Sequence, residues 1–236
     1  MKFLNDDDYN ILSKLVLSNQ NQTKGFASDF LNRFYPHIIE TEDYIIAEGD
    51  IPISLVAHLD TVFDDERKEG SIYRYFNGVM WHPHGAGFDD KAGIFSIFKI
   101  LGDGYLPHVI FTTDEEKGSL GAQRLVNDLN ESPFEDLKYM IELDRANEYD
   151  CVFYKCTNRQ FISYIESFGF VEAFGTSSDI NHICPIWNVA GANLSIGYND
   201  QHTVNETLDI NMMFNTISKV KEMLDDISNI DETFKY

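Results

Sequence analysis

Cysteine is scarce and irregularly placed in this chain. Cys151, Cys156 and Cys184 are too few and too unevenly spaced for a disulfide framework or a cysteine-rich zinc site. Bases are scarce as well: 18 Lys and Arg stand against 39 Asp and Glu, a formal net charge of −21. Phosphate recognition needs clustered bases to displace counterions, so this balance argues against nucleic acid. It argues equally against docking on an anionic membrane surface. No stretch approaches the roughly 18 apolar residues of a membrane span. The opening residues, Met1-Lys2-Phe3-Leu4 followed by Asp6-Asp7-Asp8, hold no apolar core of signal-peptide length. With thiols that suit a reducing compartment, the expectation is a cytoplasmic protein. No Pro/Gly/Ser linker, repeat or low-complexity tract divides the chain, which reads as one domain over 1–236.

What is present suffices for a real core, with 43% hydrophobic and 14% aromatic residues. Asp7 or Asp8 is placed to cap a helix carrying Tyr9, Ile11, Leu12, Leu15 and Val16 at helical spacing. A second helix is expected from Gly25 to Tyr35. The period then changes: Tyr44–Ala47 and Ile53–Ala57 read as strands, the second more buried. From there the pattern alternates. Helices are expected over Asp90–Leu101, Ser119–Leu129, Arg159–Phe168 and Ile210–Ile227, and strands over His108–Thr112, Tyr139–Leu143 and Asn188–Ile196. Alternating strands and helices imply an α/β fold with a mostly parallel sheet covered on both faces. In such sheets ligands collect at the carboxyl ends of the strands.

Residues with metal-binding chemistry fall at four such ends. Ser54–Ala57 runs into His58-Leu59-Asp60, Val109–Thr112 into Asp114-Glu115-Glu116, Met140–Leu143 into Asp144, and the strand near Val189–Ile196 into the stretch ending at His202. A fifth group, Gly87-Phe88-Asp89-Asp90-Lys91-Ala92-Gly93, opens a helix. Taken singly, each has a bland explanation: an Asp after a strand usually caps a turn, a Glu pair is usually a solvated corner, and a lone His is usually a satisfied surface or core residue. Five such groups converging on one rim are far less easily dismissed.

Together, His58-x-Asp60, Gly87 to Gly93, Glu115-Glu116-x-Gly118, Asp144 and His202 resemble the co-catalytic zinc exopeptidases, a clan of aminopeptidases, tripeptidases and carboxypeptidase-like amidohydrolases. The likeness runs from about Ile53 to His202. It implies a three-layer sandwich and a single catalytic domain, with N-terminal helices and edge strands over 1–50, a metal-site core over 51–202 and a closing helix over 209–230. It further implies two divalent cations bridged by Asp89. Glu116 and His202 would complete one site; His58 and Asp144 would complete the other. Imidazole and carboxylate donors suit zinc, with manganese or cobalt compatible. Asp60 would orient His58, and Glu115 would take the proton from the attacking water and pass it to the leaving amine. A cis peptide between Asp89 and Asp90 is implied as well. Many carboxypeptidase-like relatives insert a lid domain between the counterparts of Asp144 and His202. The 57 residues available here leave no room for one.

Three further features stay open at this level. The stretch Gly175-Thr176-Ser177-Ser178-Asp179 resembles a segment near the substrate pocket of several relatives, in which Asp179 could hold a substrate amine; an ordinary helix cap reads equally well. His82 and His84 form a His-x-His pair, but the implied ligand set is complete without them. Arg145 and Arg159 are the bases in the second half placed to clamp a substrate carboxylate, and the sequence does not choose between them. The expected activity is removal of N-terminal residues from peptides. An amidohydrolase, deacylase or carboxypeptidase-like enzyme on the same metal core is the first rival, and a catalytically inactive metal-binding module the second. A binding module has no need of Glu115.

Overall fold

The computed structural model describes residues 4–63 and 74–236. Met1 to Phe3, part of the stretch read for a signal segment, lie outside the described residues. The chain opens with α1 (Asp6–Leu17) and α2 (Gln20–Leu31). Their caps are Asn5 and Asn19, whose side chains accept from the N–H groups of Asp8 and Gln22. Asn5 therefore does the work expected of Asp7 or Asp8, which lie inside the first turn, where acids favour the helix dipole. The capping box of Asn19 and Gln22 starts α2 five residues before the expected Gly25.

There follow β1 (Ile38–Glu40), β2 (Tyr44–Ala47), β3 (Ile51–His58), β4 (Arg74–Phe76), β5 (Val79–Trp81), α3 (Phe88–Gly102), β6 (Pro107–Thr112) and α4 (Leu120–Asp128). The second half holds β7 (Tyr139–Arg145), β8 (Asp150–Val152), α5 (Arg159–Ser167), β9 (Val171–Glu172), α6 (Ile180–Trp187), β10 (Gly191–Ser195), β11 (Tyr198–Asn199), β12 (Thr207–Asp209) and α7 (Ile210–Asp225). The main sheet runs β1-β2-β6-β3-β7-β10-β8-β9, and its central strands β6, β3, β7 and β10 are parallel. The small sheet β11-β12-β5-β4 is antiparallel throughout.

Side chains alternate across the main sheet with the period of two that strands dictate. Ile53, Leu55 and Ala57 of β3 join one core with Val109 and Phe111 of β6 and with α1, α2, α3, α5 and α7. Val56 and Ile110 point the other way, into a second core with α4 and α6. The result is three layers: helices, a mostly parallel sheet, helices. In the first core Phe30 stacks on Phe98 at 3.9 Å between ring centres, with Phe111 and Phe26 edge-on to Phe98. Replacing Phe98 with Ala is expected to lower unfolding free energy by about 3–5 kcal/mol, the usual cost of an emptied aromatic site. Urea denaturation reads it, and a loss under 1 kcal/mol would mean that the cluster collapses to fill the hole.

The residues between Asp144 and His202 are absorbed into this architecture. Strands β8, β9 and β10 extend the main sheet, β11 joins the small one, and α5 and α6 pack on the two cores. Among the described residues, no helix is long and apolar enough to cross a membrane.

Candidate metal centre

Parallel strands deliver the site residues because their carboxyl ends share one rim. His58 ends β3, Asp144 sits near the end of β7, and Glu115–Lys117 form a short 3-10 turn after β6. Asp89 lies in the first turn of α3, where Asp89 and Asp90 depart from helical geometry and are joined by a cis peptide. Its approach requires glycine. Gly87 adopts φ +66°, and a Cβ on Gly93 would strike the Asp90 carboxylate and the Leu143 carbonyl.

The Asp89 carboxylate is split between two imidazoles. Its Oδ1 lies 3.0 Å from His58 Nε2, and its Oδ2 lies 3.1 Å from His202 Nε2. Asp144 Oδ1 lies 3.5 Å from the same His58 nitrogen, and Glu116 Oε2 lies 3.0 Å from the same His202 nitrogen. Two triads result, His58–Asp89–Asp144 and Asp89–Glu116–His202, each with its donor atoms within 4.8 Å of one another and with Asp89 in common. All five side chains singled out in the sequence as ligands are thus brought together. His58 and Asp89 are buried, whereas His202 is about half exposed.

A shell of hydrogen bonds holds each donor. His58 Nδ1 lies 3.3 Å from Asp60 Oδ1, a charge contact rather than an aligned hydrogen bond. The Asp60 carboxylate also accepts the N–H groups of Glu115 at 3.0 Å and Glu116 at 3.1 Å, so one side chain fixes both the first imidazole and the glutamate turn. That turn lies between Asp114 and Ser119, both in the left-handed region, and Ser119 Oγ donates to Glu115 Oε1 at 3.1 Å. His202 also has positive φ. Non-glycine residues in that region persist where surrounding contacts over-determine them.

Several partners carry no signal in the sequence. Asp90 accepts the N–H groups of His58 at 3.2 Å and Gly93 at 2.9 Å. Ser178 Oγ and the Tyr198 hydroxyl donate to Asp144 at 2.9 and 3.1 Å, and the Asn193 side chain pairs with both backbone groups of Asp144. Glu206, fully buried, accepts from the N–H of Gly87 and, at 3.0 Å, from that of Asp89. Asp90 lies within the Gly87 to Gly93 motif and Ser178 within Gly175 to Asp179, but neither stretch marks these particular contacts. Glu206 follows His202 by four residues with nothing around it to mark it. Glu206→Ala would strand two buried N–H groups, and we expect it to cost about 1–3 kcal/mol. Thermal unfolding measures this, and an unchanged midpoint would contradict the anchoring role.

Asp179 is fully buried and does not line the cleft. Its carboxylate accepts the Thr112 hydroxyl and its N–H donates to Glu142 Oε1 at 3.1 Å, so it ties the entry of α6 to β6 and β7. His82 and His84 belong to neither triad. His82 Nδ1 instead lies 3.1 Å from the Gly85 carbonyl and accepts the His84 N–H. Arg145 lines the cleft; Arg159 does not.

The electrostatics are those of acids crowded beyond what imidazoles neutralise. Burial pushes the Asp144 carboxyl up to about 6, with Asp89 adding to the rise. Burial pushes Glu115 up to about 8, reinforced by Asp144, Asp179 and Asp89 and opposed by His58. Burial also raises Asp89, but His202 and His58 outweigh it and hold that carboxyl below its ordinary range. Contact with Asp89 and Glu116 lifts His202 to about 10 against the effect of burial. Burial opposes a proton on His58, yet Asp144, Asp60 and Asp89 together raise it well above the usual imidazole value. Glu116 keeps one buried carboxylate oxygen without a hydrogen-bond partner among the described residues. Such a donor set fits a pair of divalent cations.

No protein-family model matches the chain, and no curated protein sequence does. Solved structures do. Aminopeptidase PepT from Bacillus cereus is 14% identical with a TM-score of 0.71, the match covering 94% of this chain and 98% of that one. A tripeptidase from Staphylococcus aureus is 13% identical with a TM-score of 0.72, covering 94% and 99%. A structure named as an endoglucanase, from Thermotoga maritima, is 13% identical with a TM-score of 0.61, covering 93% and 98%. The chain therefore has the fold of these peptidases, a mostly parallel sheet between helical layers.

Proposed function

We propose that this chain is a metal-dependent aminopeptidase, a single catalytic domain that removes N-terminal residues from peptides. The observation that carries this reading is Asp89, whose two carboxylate oxygens face two different imidazoles and so bridge two donor triads. His58, Asp89 and Asp144 would hold one divalent cation; Asp89, Glu116 and His202 would hold the other, with zinc the best match to mixed imidazole and carboxylate donors. When bound, the pair would polarise the scissile carbonyl and offset the surrounding negative charge.

The chain's own groups then have distinct tasks. Glu115 lines the same cleft as Asp89, Asp144 and His202. Its carboxylate accepts the proton of the attacking water and returns it to the departing amine. Asp60 positions both His58 and the glutamate turn. Glycosidic cleavage, suggested by the name of one similar structure, is the poorer match. It ordinarily relies on two carboxyl groups flanking the bond and has no use for two imidazoles sharing a carboxylate. A cytoplasmic setting accords with three cysteines that are all free thiols.

The test is hydrolysis of amino-acid anilides and of N-blocked peptides, each with and without added zinc. Cleavage confined to substrates with a free amine supports an aminopeptidase. Cleavage of the blocked peptides alone would move the activity to a deacylase or carboxypeptidase-like enzyme. No cleavage and no metal uptake would leave a binding module.

A further inference from the structure

Beside the triads lies a cleft of about 360 Å³, small for a ligand site and suited to a few residues of peptide. Its wall includes Asp89, Glu115 and Asp144, so a negatively charged group entering it meets three carboxyl groups in a protein of net charge −21. Among the described residues that line it, Arg145 is the only Lys or Arg.

Arg145 follows Asp144 directly along β7. Successive side chains on a strand point to opposite sides, so the residue that faces the imidazoles is followed by one that does not. The guanidinium is held at the cleft wall by the Phe174 carbonyl, which accepts from Nη2 at 3.2 Å. Asp150 is its acidic neighbour, at 3.4 Å from the same nitrogen. Charge-assisted hydrogen bonds run at about 2.7–2.9 Å, so that pair is loose. Arg145 Nε is buried, out of a ligand's reach, and has no hydrogen-bond partner among the described residues. A side chain 21% exposed that lines the cleft leaves the terminal nitrogens of its planar fork to meet an incoming carboxylate.

We propose that Arg145 anchors a carboxylate of the substrate within this cleft, so that the preferred substrates are short peptides bearing that group near the bond to be cut. This rests on the aminopeptidase reading for what is cut, but not for what is bound. The carboxylate has two sources, the free C-terminus of a short peptide or an acidic side chain.

The measurement is calorimetric binding to the Glu115→Gln protein loaded with zinc, which needs no turnover. The probes are trialanine, trialanine amide, Ala-Glu-Ala amide and Ala-Gln-Ala amide. Trialanine over its amide reports the terminal source, and the Glu over the Gln peptide reports the side-chain source. One of these preferences is expected at roughly tenfold to a hundredfold, the value of a hydrogen-bonded charge. Adding Arg145→Met should abolish it, and adding Arg145→Lys should retain part of it. Equal affinity within both pairs, absence of binding by all four peptides, or a preference that survives Arg145→Met would each overturn the proposal. The last result would place the carboxylate on the cations instead. Should Arg145→Met fold poorly, the comparison within each pair and the Lys variant still decide. If an amino-acid anilide is not hydrolysed, the aminopeptidase reading fails while these affinities stand on their own.

Discussion

Glu115→Gln is expected to lower turnover by about 10²–10⁴-fold, the usual worth of a positioned general base, with both cations retained. The side chain is well placed for a clean test. Gln has nearly the same shape and can still accept the Ser119 hydroxyl that now meets Glu115 Oε1. Glu115 belongs to neither donor triad, so its charge is not required to hold metal. Burial first, then the neighbouring acids, lift its carboxyl to about 8. Neutralisation of Asp144 and Asp89 by bound cations would remove part of that rise and leave a carboxylate near neutral pH. The variant should unfold at the same temperature or slightly higher, since a buried ionisable group has been made neutral. Metal analysis, thermal unfolding and steady-state rates on an anilide substrate separate the three effects. Unchanged turnover would remove Glu115 from the mechanism.

Removal of the cations should have the other large effect. Chelation is expected to abolish activity, with recovery on adding zinc. It should also lower the unfolding temperature by about 5–10 °C for each cation lost, because one ligand at a hundred times its dissociation constant stabilises a protein by about 2.7 kcal/mol. The sharing of Asp89 makes the stoichiometry informative. Asp89→Ala should lose both cations, His58→Ala chiefly one and His202→Ala chiefly the other. Metal analysis on the purified variants measures this directly. Two equivalents retained in all three would overturn the assignment of donors. The two histidines should also differ in exchange. His58 is buried behind Asp60 and Asp144, while His202 is about half exposed, so the cation at His202 should be the first removed by a weak chelator.

Much of the architecture was legible because periodicity reports burial. Apolar runs such as Ile53–Ala57 and Tyr139–Leu143 can satisfy both cores only as central strands, and they lie side by side in the sheet. Short elements were not legible. Strands β4, β5, β11 and β12 have two or three residues each, too few for a period, and their pairing into a second sheet depends on chain segments far apart. Helix α6 was hidden by Pro185 within it. The start of α2 was misplaced because its polar first turn, Gln20 to Lys24, carries no apolar stripe and is fixed by its cap instead.

The site divides along the same line. Residue type and order drew attention to the groups around His58, Asp89, Glu115 and Glu116, Asp144 and His202, and the resemblance to the co-catalytic zinc exopeptidases then marked the individual ligands and gave Asp60 and Glu115 their expected roles. Only the tertiary structure decided that Asp89 faces both imidazoles, that Asp60 grips the glutamate turn, that Glu206 holds the backbone of Asp89, that Asp179 turns inward and that Arg145, not Arg159, reaches the cleft. The physical reason is range. Donor chemistry and local period are properties of a few neighbouring residues, whereas the direction of a side chain is set by whatever the fold packs against it.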